Sequence, residues 1–242
     1  MHDSQQERTT RTQQMLPWVQ WGRARGRCFY LLLSIVALLA SYPYLGDDPY
    51  TPPVAVRLMG TLVQLAAVYA LADKRWTLIV ALILMVPSFL DQWFPDARMW
   101  PEFIISGAAA SVLFYAFTTL IVLGYVLRGQ RVTEDKLYGA ISVYLLIGIT
   151  FSALFIMIER AVPGSFFSPA GMGHRGPMGW SDLLYFSFVT LTTAGYGDII
   201  PATASAKSVC ILESCTGVLY IAVLVSRLVG ASLAAAMAER RS

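Results

Sequence analysis

The sequence predicts an all-α membrane protein: six transmembrane helices, one shorter helix that enters the membrane and turns back, and an irregular loop that follows it. Three observations predict this. The first is apolar run length: 56% of the 242 residues are hydrophobic and only 14% charged, in runs near the ~20 residues that span a bilayer. The second is where the basic residues fall. Twelve of the eighteen Lys and Arg lie in the tail 1–27, the turn 74–75, the linker 128–136 and the C-terminus. The third is the stretch Thr192-Thr193-Ala194-Gly195-Tyr196-Gly197-Asp198 between two long apolar segments, uncharged until Asp198. Irregular backbone is tolerated inside a membrane only where protein buries it or where it lines a wet cavity.

Residues 1–27 hold five arginines just before an apolar run, which places them on the cytoplasmic side. Cys28–Leu45 follows as helix one; with no A-x-A site after it, it reads as a span rather than a cleaved leader. Val54–Ala72 is helix two, with Arg57 near its outer end, and Trp76–Phe94 is helix three, where Pro87 predicts a kink. Phe103–Leu127 is helix four, uncharged throughout, with a run of small residues from Gly107 to Ser111 suited to close contact in lipid. Residues 28–127 thus form a four-helix membrane domain, and 128–136 a cytoplasmic linker. Leu137–Ile158 is the fifth helix and 159–180 an exterior turret rich in Gly and Pro. Ser181–Thr192 reads as a helix of about a dozen residues, too short to span, capped by Ser181 with Asp182 in its first turn. The last helix covers about 202–238. Both termini are then cytoplasmic in a multi-pass protein of the cell membrane, and every loop obeys the positive-inside rule.

Glycine is free at φ > 0, so a Gly-Tyr-Gly run can take alternating backbone angles that turn successive carbonyls to one side. With the short helix before it, this stretch resembles the selectivity filter of potassium channels, and residues 137–230 resemble the pore domain of bacterial six-transmembrane, one-pore-domain members. The resemblance implies an outer helix at 137–158, a pore helix at 181–192, a filter at 193–198 and an inner helix at 202–238. It implies K⁺ coordination by the carbonyls of Thr193, Ala194, Gly195 and Tyr196, with Gly197 completing the filter and the Thr193 hydroxyl helping at its inner end. One filter per chain and no internal repeat imply a homotetramer around one axial pore. K⁺ enters as the permeant ion and no cofactor is expected.

The resemblance has departures. Ala194 stands where the family has Val or Ile, which loosens the packing behind the filter. Val189 replaces a glutamate that pairs with the filter aspartate in one branch, so Asp198 needs another partner, such as Tyr185. Phe186 replaces a tryptophan and cannot donate to the Tyr196 hydroxyl. Thr192, Asp198, Tyr185 and Glu213 are the expected filter supports. On the inner helix, Gly217 is a hinge or a close-packing site, and Val218, Ile221, Val225 and Val229 are the positions the family turns to the pore, an apolar lining suited to gating by dewetting. Glu213 and Gly217 lie four residues apart on one helical face. Glu213 is therefore expected beside the pore helix, with Ser187 or Thr190 as partner.

Cys28, Cys210 and Cys215 have neither disulfide nor metal-ligand spacing and read as small apolar residues. The basic tail is too sparse to predict nucleic-acid binding. No H-E-x-x-H or G-x-S-x-G occurs, so the sequence does not read as an enzyme. A non-conducting or regulatory subunit with a pore-like fold is the alternative to a channel. The sequence stops soon after the inner helix, so any soluble sensor is expected as a separate regulatory chain; membrane lipids are the remaining partner. Helix four has no Arg or Lys between Phe103 and Leu127, unlike a voltage sensor. Each charge crossing the membrane contributes about 2.3 kcal/mol per 100 mV. Opening should therefore depend weakly on voltage, and a conductance–voltage curve as steep as that of a dedicated voltage-gated channel would contradict this.

Overall fold

The computed structural model describes residues 26–41, 53–72, 74–94, 101–128, 133–169 and 178–239, with the side chains of 101–105, 228–229 and 231–239 left aside. Val229 and His174 therefore lie outside the described side chains. The elements run α1 (Arg27–Ala40), α2 (Val54–Ala70), α3 (Arg75–Trp93), α4 (Pro101–Leu127), α5 (Glu134–Ala161), β1 (Phe166–Phe167), α6 (Trp180–Leu191), β2 (Ile200–Pro201) and α7 (Ala204–Glu239).

Four of these, α3 to α5 and α7, are long and apolar enough to cross a membrane. The first two are apolar but shorter, at 14 and 17 residues, or about 21 and 26 Å against a hydrocarbon core of ~30 Å. α3 continues through Pro87 as one helix. α5 begins earlier than its apolar run because Thr133 caps it, accepting from the Lys136 N–H, and Glu134 and Asp135 suit the positive end of its dipole.

Only residues 128–133 separate α4 from α5. So short a connection makes the two an antiparallel pair, and they share the most extensive helix contact in the chain. The four-helix part therefore packs on the outer helix of its own chain. A single apolar core runs through both parts, from Leu31 and Ile35 on α1 through Phe114 on α4 and Val143 on α5 to Leu184 and Leu191 on α6. A second cluster of Phe155, Phe166, Phe186, Leu183 and Ile199 joins α5 and α6 to the strand β1. Cys28 is buried, Cys210 partly so and Cys215 exposed, and all three are free thiols.

Polar contacts fasten the two parts at both ends. Asp135 on α5 accepts from the Cys28 N–H at 3.0 Å and the Tyr125 hydroxyl at 2.8 Å, so it serves a backbone amide in the first turn of α1. At the far end, Arg160 pairs with Asp91 on α3, its Nη1 lying 3.1 and 3.0 Å from the two carboxylate oxygens. Arg57 donates to the Trp93 carbonyl at 3.5 Å, placing a cation at the C-terminus of α3. Between these ends the four-helix part holds a neutral polar chain: Gln64 donates to Ser88 at 2.9 Å, and Ser88 shares a 2.8 Å bond with Ser111.

The Asp91–Arg160 pair is largely withdrawn from solvent, so breaking it should cost about 1–3 kcal/mol. Asp91→Ala and Arg160→Ala should each lower thermal stability by similar amounts, and the double variant by little more. Fully additive losses in that double-mutant cycle would show that the two residues do not act as a pair.

Candidate functional site

The site is built from the C-terminal end of α6 outward. α6 is capped at Gly179 rather than at Ser181: Asp182, its third residue, reaches back to accept from the Gly179 N–H at 2.8 Å. Ser181 is inside the first turn and does not cap it. A carboxylate serves the Gly179 amide and the helix dipole together, which a serine hydroxyl does only in part. At the other end, Thr192 is the C-cap, and its hydroxyl returns to the Phe188 carbonyl at 2.7 Å.

Helix C-termini leave carbonyls without partners, and here the loop supplies them. Thr193 N–H donates to the Thr190 carbonyl at 3.0 Å; Ala194 and Gly195 N–H both donate to the Val189 carbonyl, at 2.9 and 3.4 Å. In a planar trans peptide the N–H and the preceding C=O point in opposite directions. Amides aimed at α6 therefore leave the carbonyls of Thr192, Thr193 and Ala194 directed away from it. The backbone angles extend the pattern. φ is positive at Thr193 (58°), Gly195 (56°) and Gly197 (78°), and at neither residue between them. Such alternation turns successive carbonyls toward one side. Residues 192–197 are all exposed in the single chain, so this oxygen-bearing edge is uncovered.

The positive φ of Thr193 is what sequence reasoning missed. A β-branched side chain at positive φ is a true outlier and marks a site held by its surroundings. Asp198 is half-buried, and its Oδ1 accepts from the Ile199 N–H at 3.1 Å. Tyr185 packs against the aromatic cluster of Phe155, Phe166 and Phe186, whose ring centroids lie 5.1–5.4 Å apart. Phe186 is thus anchored in apolar packing, and Val189 is buried with its carbonyl facing the loop.

The exit of the loop is pinned by a feature with only a faint sequence signal. β1 and β2 form a short antiparallel ladder pairing Phe166 with Pro201 and Phe167 with Ile200. Glu159, the last acidic residue of α5, accepts from the Gly164 and Phe166 N–H groups at 2.8 and 3.0 Å and folds the start of the turret. The signal available was a Glu at the end of an apolar helix, just before Pro163-Gly164-Ser165.

On α7, Glu213 and Gly217 face inward against α6. Ser187 Oγ contacts Glu213 Oε1 at 2.5 Å; of the two expected partners it is Ser187 that bonds, while Thr190 contributes its carbonyl to Ser214 at 3.5 Å. A Cβ at Gly217 would collide with the Leu191 carbonyl oxygen and come within 2.9 Å of Leu191 Cδ1. Gly217 is therefore a close-approach position, where α7 lies directly on the end of α6. Val218, Ile221 and Val225 are 55%, 47% and 52% exposed, on a face distinct from Glu213.

A half-length helix with its terminal carbonyls bound by a loop of alternating φ, held between two longer apolar helices, defines the pore region of an ion channel. Residues 160–232 match a family model described as "Ion channel". A protein from rice, "Two pore potassium channel c", is 44% identical over 86 residues, which is 36% of this chain and 16% of that protein. Arabidopsis "Two-pore potassium channel 4" is 46% identical over 48 residues, covering 20% of this chain and 17% of that protein. "Potassium channel protein kcv" of Paramecium bursaria Chlorella virus 1 is 35% identical over 79 residues, 31% of this chain and 81% of the viral protein. The chain belongs to the ion-channel family that these potassium channels represent. It is a multi-pass membrane protein and not an enzyme. It spans about a sixth of the length of the two plant relatives, and no solved structure matches it.

Gly217→Ala should disturb the α6–α7 contact, because the atom in the way is backbone; a loss of about 1–3 kcal/mol is expected. Gly230→Ala, with nothing within 4 Å of its Cβ, should be neutral or slightly stabilising. Thermal unfolding of both variants in detergent checks this, and equal tolerance at 217 and 230 would contradict the close approach.

Proposed function

We propose that the chain forms a potassium-selective channel, conducting K⁺ passively through a pore made by four copies. The observation that carries this is the loop after α6, with amides tied to the helix end and φ alternating in sign from Thr193 to Gly197. Four such loops around an axis stack rings of carbonyl oxygen able to replace the hydration shell of a cation. In this reading Thr193, Ala194, Gly195 and Tyr196 coordinate the ion, Gly197 supplies the turn at the outer end, and Thr192, Asp198, Tyr185 and Glu213 support the loop. The potassium-channel names of the plant and viral relatives support the choice of ion.

The rest of the assignment follows the same reading. α1 to α5 and α7 are the six spans, both termini face the cytoplasm, and the four-helix part is a scaffold rather than a voltage sensor. Val218, Ile221, Val225 and Val229 line the cavity below the filter, and Gly217 is where the inner helix bends if it bends. The end of α6 contributes the negative end of its dipole to the cavity, which favours a cation there.

Purified protein in liposomes should pass K⁺ and Rb⁺, exclude Na⁺ and migrate as a tetramer. Equal K⁺ and Na⁺ permeability under bi-ionic conditions would refute the selectivity. At Gly195 nothing lies within 4 Å of an added Cβ, so only backbone angle opposes a side chain. Gly195→Ala should lower selective flux by more than about tenfold, because an L-residue at positive φ costs roughly 1–2 kcal/mol in each of the four copies. Wild-type flux in that variant would mean that the loop is not the filter. In a cysteine-free background, Ile221→Cys should react with a charged thiol reagent applied to the open pore and Glu213→Cys should not; the reverse pattern would put the wrong face of α7 on the axis.

A further inference from the structure

Three helices of the pore region meet at a single hydroxyl. Ser187 on α6 is fully buried, and its Oγ lies 2.7 Å from the Gly148 carbonyl oxygen on α5 and 2.5 Å from Glu213 Oε1 on α7. Each contact joins two oxygens, so each requires a proton between them. A serine hydroxyl carries one proton, and a backbone carbonyl can only accept. If Ser187 gave its proton to an ionised Glu213, its Oγ and the Gly148 oxygen would face each other at 2.7 Å with lone pairs alone. If Ser187 gives its proton to Gly148, the second proton must come from Glu213.

The surroundings agree with that count. Glu213 is fully buried, and its Oε2 has no hydrogen-bond partner. Among the described residues no cation pairs with it. An unpartnered oxygen of a neutral acid is far less costly than an unpartnered oxygen of a charged one. Glu213 also lies beside the last turns of α6, where the helix dipole is negative and offers an anion nothing.

We propose that Glu213 is a hydrogen-bond donor: its carboxyl proton on Oε1 bonds Ser187 Oγ, and the Ser187 proton bonds the Gly148 carbonyl. The resulting chain ties inner, pore and outer helices at one point, two residues before Val189, whose carbonyl holds the filter amides. Glu213 is a positioning residue. It touches no ion, and its consequence for conduction rests on the channel reading, while the proton assignment does not. Gly148 belongs to the same junction, because a Cβ there would lie 2.9 Å from the Phe188 ring and push α6 away from α5.

The test is infrared spectroscopy of the full chain in lipid at neutral pH, with K⁺ flux measured on the same proteoliposomes. Wild-type protein carrying isotope-labelled glutamate should show a protonated-carboxyl C=O stretch that moves with the label. Glu213→Gln should lose that band, and Ser187→Ala should shift it because the acceptor of the proton is gone. The label in wild-type protein needs no variant to fold, so assembly defects do not obscure the outcome. Only ionised carboxylate bands responding to the label would overturn the proposal, as would a protonated band that survives in Glu213→Gln. A band present without selective flux would support the proton assignment and overturn the channel reading. Selective flux without the band would overturn the proton assignment alone.

Discussion

The Val189 carbonyl is the point on which the site depends. It accepts from two successive loop amides, Ala194 and Gly195, at the place where a helix would otherwise leave its last carbonyls unpaired. That arrangement settles two problems of burial together: the helix end gains donors, and the loop amides gain acceptors. It also decides which way the loop's own oxygens face. A hydrated helix end would need no such loop, and a loop without the helix end would have no reason to point its carbonyls outward.

Everything behind the loop keeps α6 where this can happen. Gly148 admits the Phe188 ring from one side, and Gly217 admits the Leu191 carbonyl from the other. The aromatic cluster of Phe155, Phe166 and Phe186 packs beside α6, and Tyr220 on α7 reaches across to the Ala140 carbonyl on α5 at 2.6 Å. The pore helix is thus enclosed by backbone on two faces, where side-chain repacking cannot compensate for a displacement. The four-helix part is attached differently. It shares the apolar core through α1 and α4 and is fastened at its two ends by Asp135 and by the Asp91–Arg160 pair. Among the described residues, its fully buried polar side chains are amides and hydroxyls, which stabilise packing through hydrogen bonds.

The apolar runs made the long helices legible, and the Gly-Tyr-Gly stretch singled out the loop, because both signals are local. What escaped was set by contacts distant in sequence or by one atom's reach. Ser181 is a good cap in isolation, but Asp182 serves the same end with a charge, so the helix starts one residue earlier at Trp180. The β1–β2 ladder involves only two residues per strand, far too short for a periodicity. Thr193 at positive φ was invisible because nothing in its own chemistry favours that conformation. The spacing from Glu213 to Gly217 was informative because both residues face the same neighbour. That Ser187 bridges to Gly148 on a third helix lay beyond any spacing argument.

Thr193 shows what the local order costs and what it accomplishes. A non-glycine residue in a sparsely populated region costs on the order of 1–3 kcal/mol, and each loop-to-helix hydrogen bond returns only about 0.5–1.5 kcal/mol net. Three such bonds, from the amides of Thr193, Ala194 and Gly195, are enough to hold one strained residue with little surplus. The strain therefore persists only while α6 stays in register with the loop, which ties loop shape to the helix packing behind it. In a pore this balance matters for the ion. In the channel proposed above, carbonyls already turned away from α6 before a cation arrives would need no binding energy to order them, so none of the ion's interaction with the loop is spent on arranging it. A loop relaxed by loss of the Val189 contacts would have to be reordered by each ion, and that ordering cost would be taken from the affinity.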